Sequence, residues 1–255
     1  MIANYHTHTF RCKHAKGKDE EYILRAIEGG LKVLGFADHA PINFVEDYNG
    51  WWRVQPEDAE EYIASLNALK EKYKDKIKIH IGFEMEYFPE YFDRMYSYVS
   101  DLGAEYIIMG EHYIDGDWKG SAHTNHPGHT VEDFKEYVDT VIDGMKTGKY
   151  LYVAHPDMFN LPENDEFYER EAERLCNASK ELDVPLELNL LGIFDNRNYP
   201  DERFLKVAGK VGCKMIIGFD AHEPERAYDE KSLVKAQALI SKYNLNIISD
   251  LEDRF

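Results

Sequence analysis

Three histidines and one cysteine lie within the ten residues "HTHTFRCKHA" (6–15), close to the start of the chain. Neither a hydrophobic core nor a solvated loop needs imidazoles at this density, so the cluster suggests metal binding. If this stretch ends a β-strand, His6 and His8 point the same way, because residues two apart on a strand share a face. His14 follows in the next loop and can fold over the same point. Cys12 is either a soft metal ligand or, as we favour, a small packing residue.

Further potential ligands stand at the ends of short apolar runs, namely His39, Glu84, His112, His155, Asp220 and His222. Neutral imidazoles and carboxylates are the ligands that Zn²⁺, Fe²⁺ and Mn²⁺ accept in proteins. With the three N-terminal histidines they make seven histidines and two carboxylates. One ion uses about three or four protein ligands. Nine ligands with one bridging carboxylate therefore suit three divalent ions, with Zn, Fe or Mn as candidates.

One further glutamate is a rival for a ligand position, and the four remaining histidines are not counted as ligands. A single histidine at a strand end is more often a hydrogen-bonded structural residue, and the recurrence of the pattern is what favours a metal cluster. His80 lies in the middle of "KIHIG" and is not counted as a ligand. Glu86 shares a strand face with Glu84 and is its rival for the bridging position. Three more histidines are expected to be solvated in a polar loop from which one could reach a substrate, namely His123, His126 and His129.

The elements that must position these residues alternate along the chain, as in a parallel sheet covered by helices. Strands are predicted over residues 2–6, 32–39, 76–87, 104–112, 150–157, 184–192 and 213–222, with a further possible strand over 244–249. Helices are predicted over residues 19–30, 57–73, 130–148 and 166–182. About seven βα units favour an α/β barrel, closed or nearly closed, whose strands converge at their carboxyl ends on one mouth. The candidate ligands would meet at that mouth.

Composition and charge narrow the class of protein. The chain has 255 residues, of which 44% are hydrophobic, and its formal charge of −18 argues against nucleic-acid partners and anionic lipid. No run approaches the ~20 apolar residues of a membrane span, and the N-terminus "MIANYHTH" does not resemble a signal peptide. Three cysteines do not suit a disulfide framework, so a cytoplasmic protein is expected. Nothing in the sequence indicates an oligomeric state.

These residues, taken in order, resemble the PHP family of polymerase and histidinol-phosphatase domains, and most of all its histidinol-phosphatase branch. The segment "YHTHTFRCKHAKGKDEEYILRAIEGGLKVLGFADHAPI" carries the likeness first, and "GFEMEY", "GEHY", "AHPD" and "GFDAH" follow in the family's order. The resemblance implies a single PHP-type domain over residues 1–255. It also implies a distorted (β/α)7 TIM-like barrel with a trinuclear metal site.

The resemblance further implies how the ligands divide among the ions. One ion would be held by His6, His8, Glu84 and Asp220, a second by Glu84, His112 and His155, and the third by His14, His39 and His222. Glu84 would then bridge the first two ions.

The implied activity is metal-dependent hydrolysis of a small phosphate monoester, most of all L-histidinol phosphate, to histidinol and phosphate in histidine biosynthesis. A metal-bridging hydroxide would attack phosphorus, because metal coordination lowers the pKa of water to about 7. Arg11 and Arg197 are candidate phosphate clamps, with surface salt bridges as the alternative. Asp38, Asp157 or a loop histidine would protonate the leaving alkoxide, although Asp38 is favoured as an orienting partner of a ligand histidine. Asp157 and Glu111 are available to an ammonium group.

Two departures from the resemblance leave the substrate open. The stretch "HPDMFNL" lacks an expected basic residue, and "NLLGIFDNRNYP" differs from the shorter loop expected there, although Arg197 survives. Another small phosphoester is therefore an alternative substrate. A metal-dependent amidohydrolase or deacetylase is a rival class, against which the third ligand set argues. A non-catalytic metal-binding or regulatory module is a further rival, which the candidate phosphate-binding arginines disfavour.

Two long loops, residues 40–56 and 112–129, are expected to roof the mouth in part. Their aromatic side chains would exclude long polymers and pack against a small ring, or would only pack the loops on the barrel. These residues are Phe44, Tyr48, Trp51, Trp52, Tyr113 and Trp118.

Overall fold

Eight parallel strands follow one another in chain order within one sheet, in a computed structural model that describes residues 2–46, 48, 50–162 and 165–255. The strands are β1 (Ala3–Asn4), β2 (Val33–His39), β3 (Lys78–Glu84), β4 (Tyr106–Met109), β5 (Tyr150–Val153), β6 (Leu186–Asn189), β7 (Lys214–Gly218) and β8 (Asn246–Ile247). Each lies within a segment predicted to form a strand. Their apolar side chains suit a parallel sheet that is buried on both faces.

The sheet closes on itself at the carboxyl ends of its strands. Beyond β1, Thr7 pairs in parallel with Ala221, which follows β7. The His8 N–H donates to the Ala221 carbonyl at 2.9 Å, and the Ala221 N–H donates to the His6 carbonyl at 3.3 Å. β8 adds a short strand beside the start of β7, and a register shift distorts the pairing of β4 with β5. The distorted TIM-like barrel is therefore confirmed.

Helices cover the outer face of the sheet, and they are α1 (Asp19–Glu28), α2 (Ala59–Tyr73), α3 (Phe92–Asp101), α4 (Val131–Lys146), α5 (Asp165–Leu182), α6 (Leu190–Asp195), α7 (Glu202–Val211) and α8 (Glu230–Tyr243). The four predicted helices correspond to α1, α2, α4 and α5. The predicted strand over 184–192 is too long, because α6 begins inside it. The Asn189 side chain accepts the Gly192 N–H at 3.1 Å and caps that helix.

Alternation along β3 determines which groups reach the interior of the barrel. Ile79, Ile81 and Phe83 belong to the apolar core between sheet and helices. The residues between them face the other way, because successive side chains on a strand point to opposite faces. His80 therefore enters the barrel near one end and Glu84 at the mouth.

The barrel is a packed core below the mouth. A second apolar cluster includes Tyr5, Ala37, Tyr106, Ile108 and Tyr152. The Tyr106 hydroxyl donates to the Tyr5 carbonyl at 2.8 Å, so this buried polar group is satisfied. Among the described helices, none has both the length and the apolar character that crossing a bilayer requires.

Candidate metal centre

Glu84 lies at the centre of the mouth, at the end of β3, and is almost completely buried. Its Oε2 atom lies 3.4 Å from Nε2 of both His6 and His8, and 3.1 Å from Nδ1 of His39. Within the described residues, Oε2 has no partner in hydrogen-bonding geometry. A buried anionic oxygen is costly unless it is compensated. An unpaired oxygen ringed by imidazole nitrogens therefore fits a cation held between them.

The other oxygen of Glu84 faces two further histidines. Oε1 lies 2.8 Å from Nε2 of His155 and 3.5 Å from Nε2 of His112. A side chain at Gly110 would overlap Oε1, so glycine at that position leaves room for the carboxylate. Because its two oxygens face different histidines, Glu84 has the geometry of a bridging ligand.

Asp220 completes the group around the N-terminal pair of histidines. Its Oδ1 atom lies 3.2 Å from Nε2 of His8 and 3.5 Å from Nε2 of His6, and these two nitrogens are 3.1 Å apart. Two ligands of one ion, each about 2.0–2.2 Å from it, lie roughly 2.9–3.5 Å from each other. The distances from Glu84 and from Asp220 to His6 and His8 therefore match those between ligands of one ion.

His14, His39 and His222 form a group closer to solvent. Their ligand atoms lie within 4.8 Å of one another, and Nε2 of His14 is 3.0 Å from Nε2 of His222. The buried Cys12 lies beside them, with its Sγ 3.9 Å from Nε2 of His14. Burial raises the pKa of the Cys12 thiol, and its sulfur also forms a compact group with His8 and His222, so both of its predicted roles stay open.

All nine predicted ligands are thus brought together at one mouth. The donor atoms also fall into other compact groups, such as His39, Glu84 and His112, whose ligand atoms lie within 4.8 Å of one another. The donor set fits divalent metal ions. The division of the ligands among three ions stays a prediction.

Burial and mutual charge set the protonation of the cluster. Burial lowers the pKa of His39 and of His222 well below the usual value, so both are neutral. Burial would also lower the pKa of His6, but Glu187 and other carboxylates outweigh it and raise that pKa well above normal. In turn, neighbouring histidines hold the pKa of Glu84 well below its usual range despite burial. The carboxylates of the site are therefore anionic.

Glu187 on β6 orients two of the histidines, although the sequence alone does not predict it. Its Oε1 lies 2.8 Å from Nδ1 of His6, and its Oε2 accepts the His155 N–H at 2.9 Å. Asn189 donates to Oε2 of Glu187 at 2.8 Å and to Oδ2 of Asp220 at 3.1 Å. The signal for both residues is their alternation with leucines in "LELN", an otherwise apolar strand.

Glu86 does not occupy the bridging position that its strand face makes possible. Its two oxygens accept from the terminal nitrogens of Arg53 at 3.2 and 3.1 Å, and Oε1 lies 3.2 Å from Nδ1 of His112. Burial would raise the pKa of Glu86, but Arg53 and His112 lower it to about 2. Glu86 therefore orients His112, and Arg53 balances its charge.

Asp38 lies behind the cluster and does not line the cavity. It accepts the N–H groups of Thr9 at 3.1 Å and of His39 at 3.0 Å, and its Oδ1 lies 3.3 Å from Nδ1 of His8. This position suits an orienting partner of His8. The structure therefore favours the orienting role of Asp38 over protonation of a leaving group.

Arg11 is not a phosphate clamp. It is buried, and its guanidinium group donates to Asp19 at 2.9 Å and to Glu61 at 2.7 Å. It is not among the residues that line the cavity, and its two carboxylate partners come from α1 and α2. The structure therefore favours the salt-bridge alternative predicted for Arg11, with the arginine itself buried and Glu61 exposed.

Asp157 and Glu111 are not among the residues that line the cavity, which argues against the substrate contacts predicted for them. Asp157 accepts the Asp201 N–H at 2.7 Å, and burial raises its pKa to about 7. Glu111 accepts the Tyr87 N–H at 2.9 Å. Both carboxylates serve the backbone of neighbouring segments.

A cavity of about 400 Å³ opens over the cluster, and Arg197 lines it. The Arg197 guanidinium donates to Asp195 from Nε at 3.1 Å and from Nη2 at 2.8 Å, and to the Tyr199 hydroxyl from Nη1 at 2.9 Å. Arg197 is thus held at the wall of the cavity, as predicted for a residue that overhangs the mouth.

The aromatic side chains of the two loops divide between the cavity and the core. The cavity is lined by Trp51, Trp52 and Tyr113. The apolar core is contacted by Phe44, Tyr48 and Trp118. Three of the six aromatic side chains therefore line the cavity, and the other three pack the loops on the barrel.

His123 lines the cavity as well, whereas His126 and His129 do not. Its Nδ1 atom accepts the Asn125 N–H at 3.2 Å. Burial lowers the pKa of His123 to about 3, so the ring is neutral and carries its proton on Nε2.

A barrel with clustered histidines and carboxylates at its mouth defines a metal-binding α/β protein. The PHP domain model matches residues 4–190, and the chain belongs to the PHP family. It is 27% identical to a protein of Schizosaccharomyces pombe described as a probable histidinol-phosphatase, over 89% of this chain and 82% of the relative. It is 25% identical to the histidinol-phosphatase of Lactococcus lactis, over 94% and 90%.

The fold is also that of a solved structure. The histidinol phosphate phosphatase of Lactococcus lactis, complexed with zinc, L-histidinol and phosphate, superposes with a TM-score of 0.73 at 20% identity. The match covers 97% of this chain and 95% of that one. The likeness therefore extends over the whole barrel.

Proposed function

We propose that this chain hydrolyses L-histidinol phosphate to L-histidinol and inorganic phosphate, with divalent metal ions bound at the mouth of the barrel. The observation that carries the proposal is the position of Glu84. Its two oxygens face five histidines beneath a cavity that Arg197 lines. Relatives of similar length that are named for this activity support the choice of substrate. Such an activity would operate in the cytoplasm.

The ligand set suits three ions, and we assign zinc, iron or manganese to them. When bound, such ions would draw charge from the phosphate oxygens and lower the pKa of a coordinated water to about 7. The chain's own contribution is to hold each imidazole in place. Glu187, Asp38 and Glu86 do so from behind, each within 3.3 Å of the Nδ1 atom of a ligand histidine.

Arg197 would donate to the phosphate from the wall of the cavity. Asp195 and Tyr199 fix its guanidinium group, so less conformational freedom is lost when the phosphate binds. His123 would donate a hydrogen bond from Nε2 to the leaving oxygen without transferring the proton, because its ring is neutral and its Nδ1 already accepts a backbone N–H.

The wall of the cavity can also accommodate the rest of the substrate. Trp51, Trp52 and Tyr113 present flat apolar surfaces to an imidazole ring. Asp195 and Glu223 are acidic residues of the lining, and one of them would meet the ammonium group. They replace Asp157 and Glu111 in that role.

A different small phosphate ester is the second candidate substrate. Both acidic residues of the wall already pair with cations, Asp195 with Arg197 at 2.8 Å and Glu223 with Lys16 at 2.9 Å. An ammonium group would have to compete with these pairs. A phosphate ester without a positive charge would not.

A substrate panel tests the proposal. Metal-loaded protein is assayed with L-histidinol phosphate, glycerol 3-phosphate, p-nitrophenyl phosphate, a phosphodiester and an acetylated amine, with Glu84→Gln as the inactive control. The proposal expects L-histidinol phosphate to give the highest kcat/KM. If it reacts no better than p-nitrophenyl phosphate, only the phosphoesterase class stands. Hydrolysis of the amide alone would indicate the amidohydrolase class, and no turnover at all would leave a binding module.

A further inference from the structure

We propose that Arg226 is a second phosphate-binding side chain of the cavity, beside Arg197. The inference rests on the proposed phosphatase function. Arg226 lies on the short helical turn Pro224–Tyr228, which follows the candidate ligand His222, and it lines the cavity. Arg197 reaches the same cavity from the loop after α6. Two guanidinium groups therefore arrive from consecutive loops.

The guanidinium group of Arg226 retains unused donors. Its Nη1 donates to Asp229 at 2.8 Å. Its Nε is buried yet has no partner among the described residues, and none of those residues accepts from Nη2. Nε is inaccessible to a ligand, so Nη2 is the donor that remains for an anion in the cavity.

Asp229 does not fully balance the charge of Arg226. It is the N-cap of α8, where its Oδ1 accepts the Lys231 N–H at 3.1 Å and its Oδ2 accepts the Ser232 hydroxyl at 2.7 Å. Its negative charge is therefore shared with the positive end of the helix. Arg226 consequently keeps positive charge toward the cavity.

The contrast with Arg197 strengthens this assignment. Each nitrogen of the Arg197 guanidinium already donates within the chain, two of them to Asp195 and one to Tyr199. Three of its five N–H groups are used in this way, and the second N–H of Nη1 and of Nη2 remains for phosphate. Arg226 uses a single N–H within the described structure, so both N–H groups of its Nη2 remain for phosphate.

Phe194 fixes the orientation of Arg226. The guanidinium carbon lies 3.0 Å from the centre of the Phe194 ring, and Phe194 itself lines the cavity from α6. Stacking on a ring restricts the group to one plane and leaves its edges free for hydrogen bonds. A planar donor held in this way suits the oxygens of a phosphate.

The competing explanation is that Arg226 only links its turn to α8 through Asp229. Calorimetric titration of inorganic phosphate into the metal-loaded protein separates the two without any turnover. Arg226→Gln should weaken phosphate binding by about ten-fold or more. Binding of L-histidinol, which has no phosphate, should be unchanged. Arg170→Gln, on an exposed face of α5, is the matched control and should alter neither.

Arg226→Lys covers the case in which the glutamine variant fails to fold, because lysine preserves the ion pair with Asp229. It should weaken phosphate binding by about three-fold or more. Phosphate affinity within about two-fold of wild type in a folded variant would overturn the inference. If wild type hydrolyses no phosphoester, the proposed function fails, yet a loss of phosphate binding in Arg226→Gln would still support this site.

Discussion

Glu187 Oε1 lies 2.8 Å from Nδ1 of His6, while Nε2 of the same ring faces Glu84 at 3.4 Å. The other oxygen of Glu187 accepts the backbone N–H of His155. A side chain at Gly218 would overlap Oε1, so the carboxylate fills space that glycine leaves open. Glu187 therefore orients two candidate ligands from outside the ligand set.

Replacing Glu187 by Gln should lower metal retention and kcat/KM on the phosphate ester by about 10- to 100-fold, because it disturbs ligand orientation without removing a ligand. Elemental analysis after dialysis and initial-rate assays measure the two effects. Glu181→Gln, at the exposed end of α5, is the matched control. Wild-type metal retention in Glu187→Gln would contradict the role.

Arg197→Ala should lower kcat/KM on the phosphate ester by about ten- to a hundred-fold. A hydrogen bond to a charged group is worth ~1.5–3 kcal/mol, which corresponds to one to two decades. Metal content should not change, because Arg197 contacts none of the candidate ligands in the described structure. Wild-type kinetics in this variant would assign Arg197 to the surface ion pair with Asp195.

The ligand positions could be predicted because they depend on local features. The ends of parallel strands meet at one mouth, so His39 and Glu84 follow from the places where their apolar runs stop. The partners of Arg11 could not be predicted in this way. Asp19 and Glu61 come from two separate helices, and only the packing of α1 and α2 brings them to one guanidinium group.

The role of Glu187 could be predicted only in part. An acidic residue in an apolar strand signals function, but its contact with His6 depends on the register between β6, β7 and β1. The end of β6 was also beyond local prediction. The apolar run continues through Leu190 and Leu191, and the cap supplied by Asn189 turns it into a helix.

Arg53→Ala should lower the free energy of unfolding by ~3–5 kcal/mol, because it leaves the buried carboxylate of Glu86 without its cation. Both side chains are almost completely inaccessible to solvent. Chemical denaturation measures the change. Arg94→Ala, which removes an exposed arginine that pairs with no carboxylate in the described structure, should stay within about 0.5 kcal/mol of wild type. Equal stability of the two variants would mean that the Arg53–Glu86 pair contributes nothing.

His80 and two glutamates lie at the end of the barrel opposite the mouth, and their contacts should make the free energy of unfolding depend on pH. Nδ1 of His80 lies 2.7 Å from Glu105, and Nε2 lies 2.9 Å from Glu252. Burial alone would raise the pKa of Glu105, but His80 and Lys70 lower it below 4.5. A carboxylate whose pKa is lowered by folding stabilises the protein above its unfolded pKa, and this stability is lost as the pH falls.

Wild type should therefore be more stable than Glu105→Gln near neutral pH, and the difference should shrink as the pH falls below 4.5. Urea unfolding midpoints across that range measure it. Glu181→Gln serves again as an exposed control and should show no such trend. A difference that stays constant with pH would show that the Glu105 carboxylate gains no stabilisation from His80 and Lys70.

The number of metal ions bound per chain tests the central claim most directly. Elemental analysis of protein purified without chelator should find more than one transition-metal ion, and up to about three. Glu84→Ala should lose metal and phosphatase activity together, because its two oxygens face separate groups of histidines. At most one ion per chain in the wild-type protein would contradict the trinuclear centre.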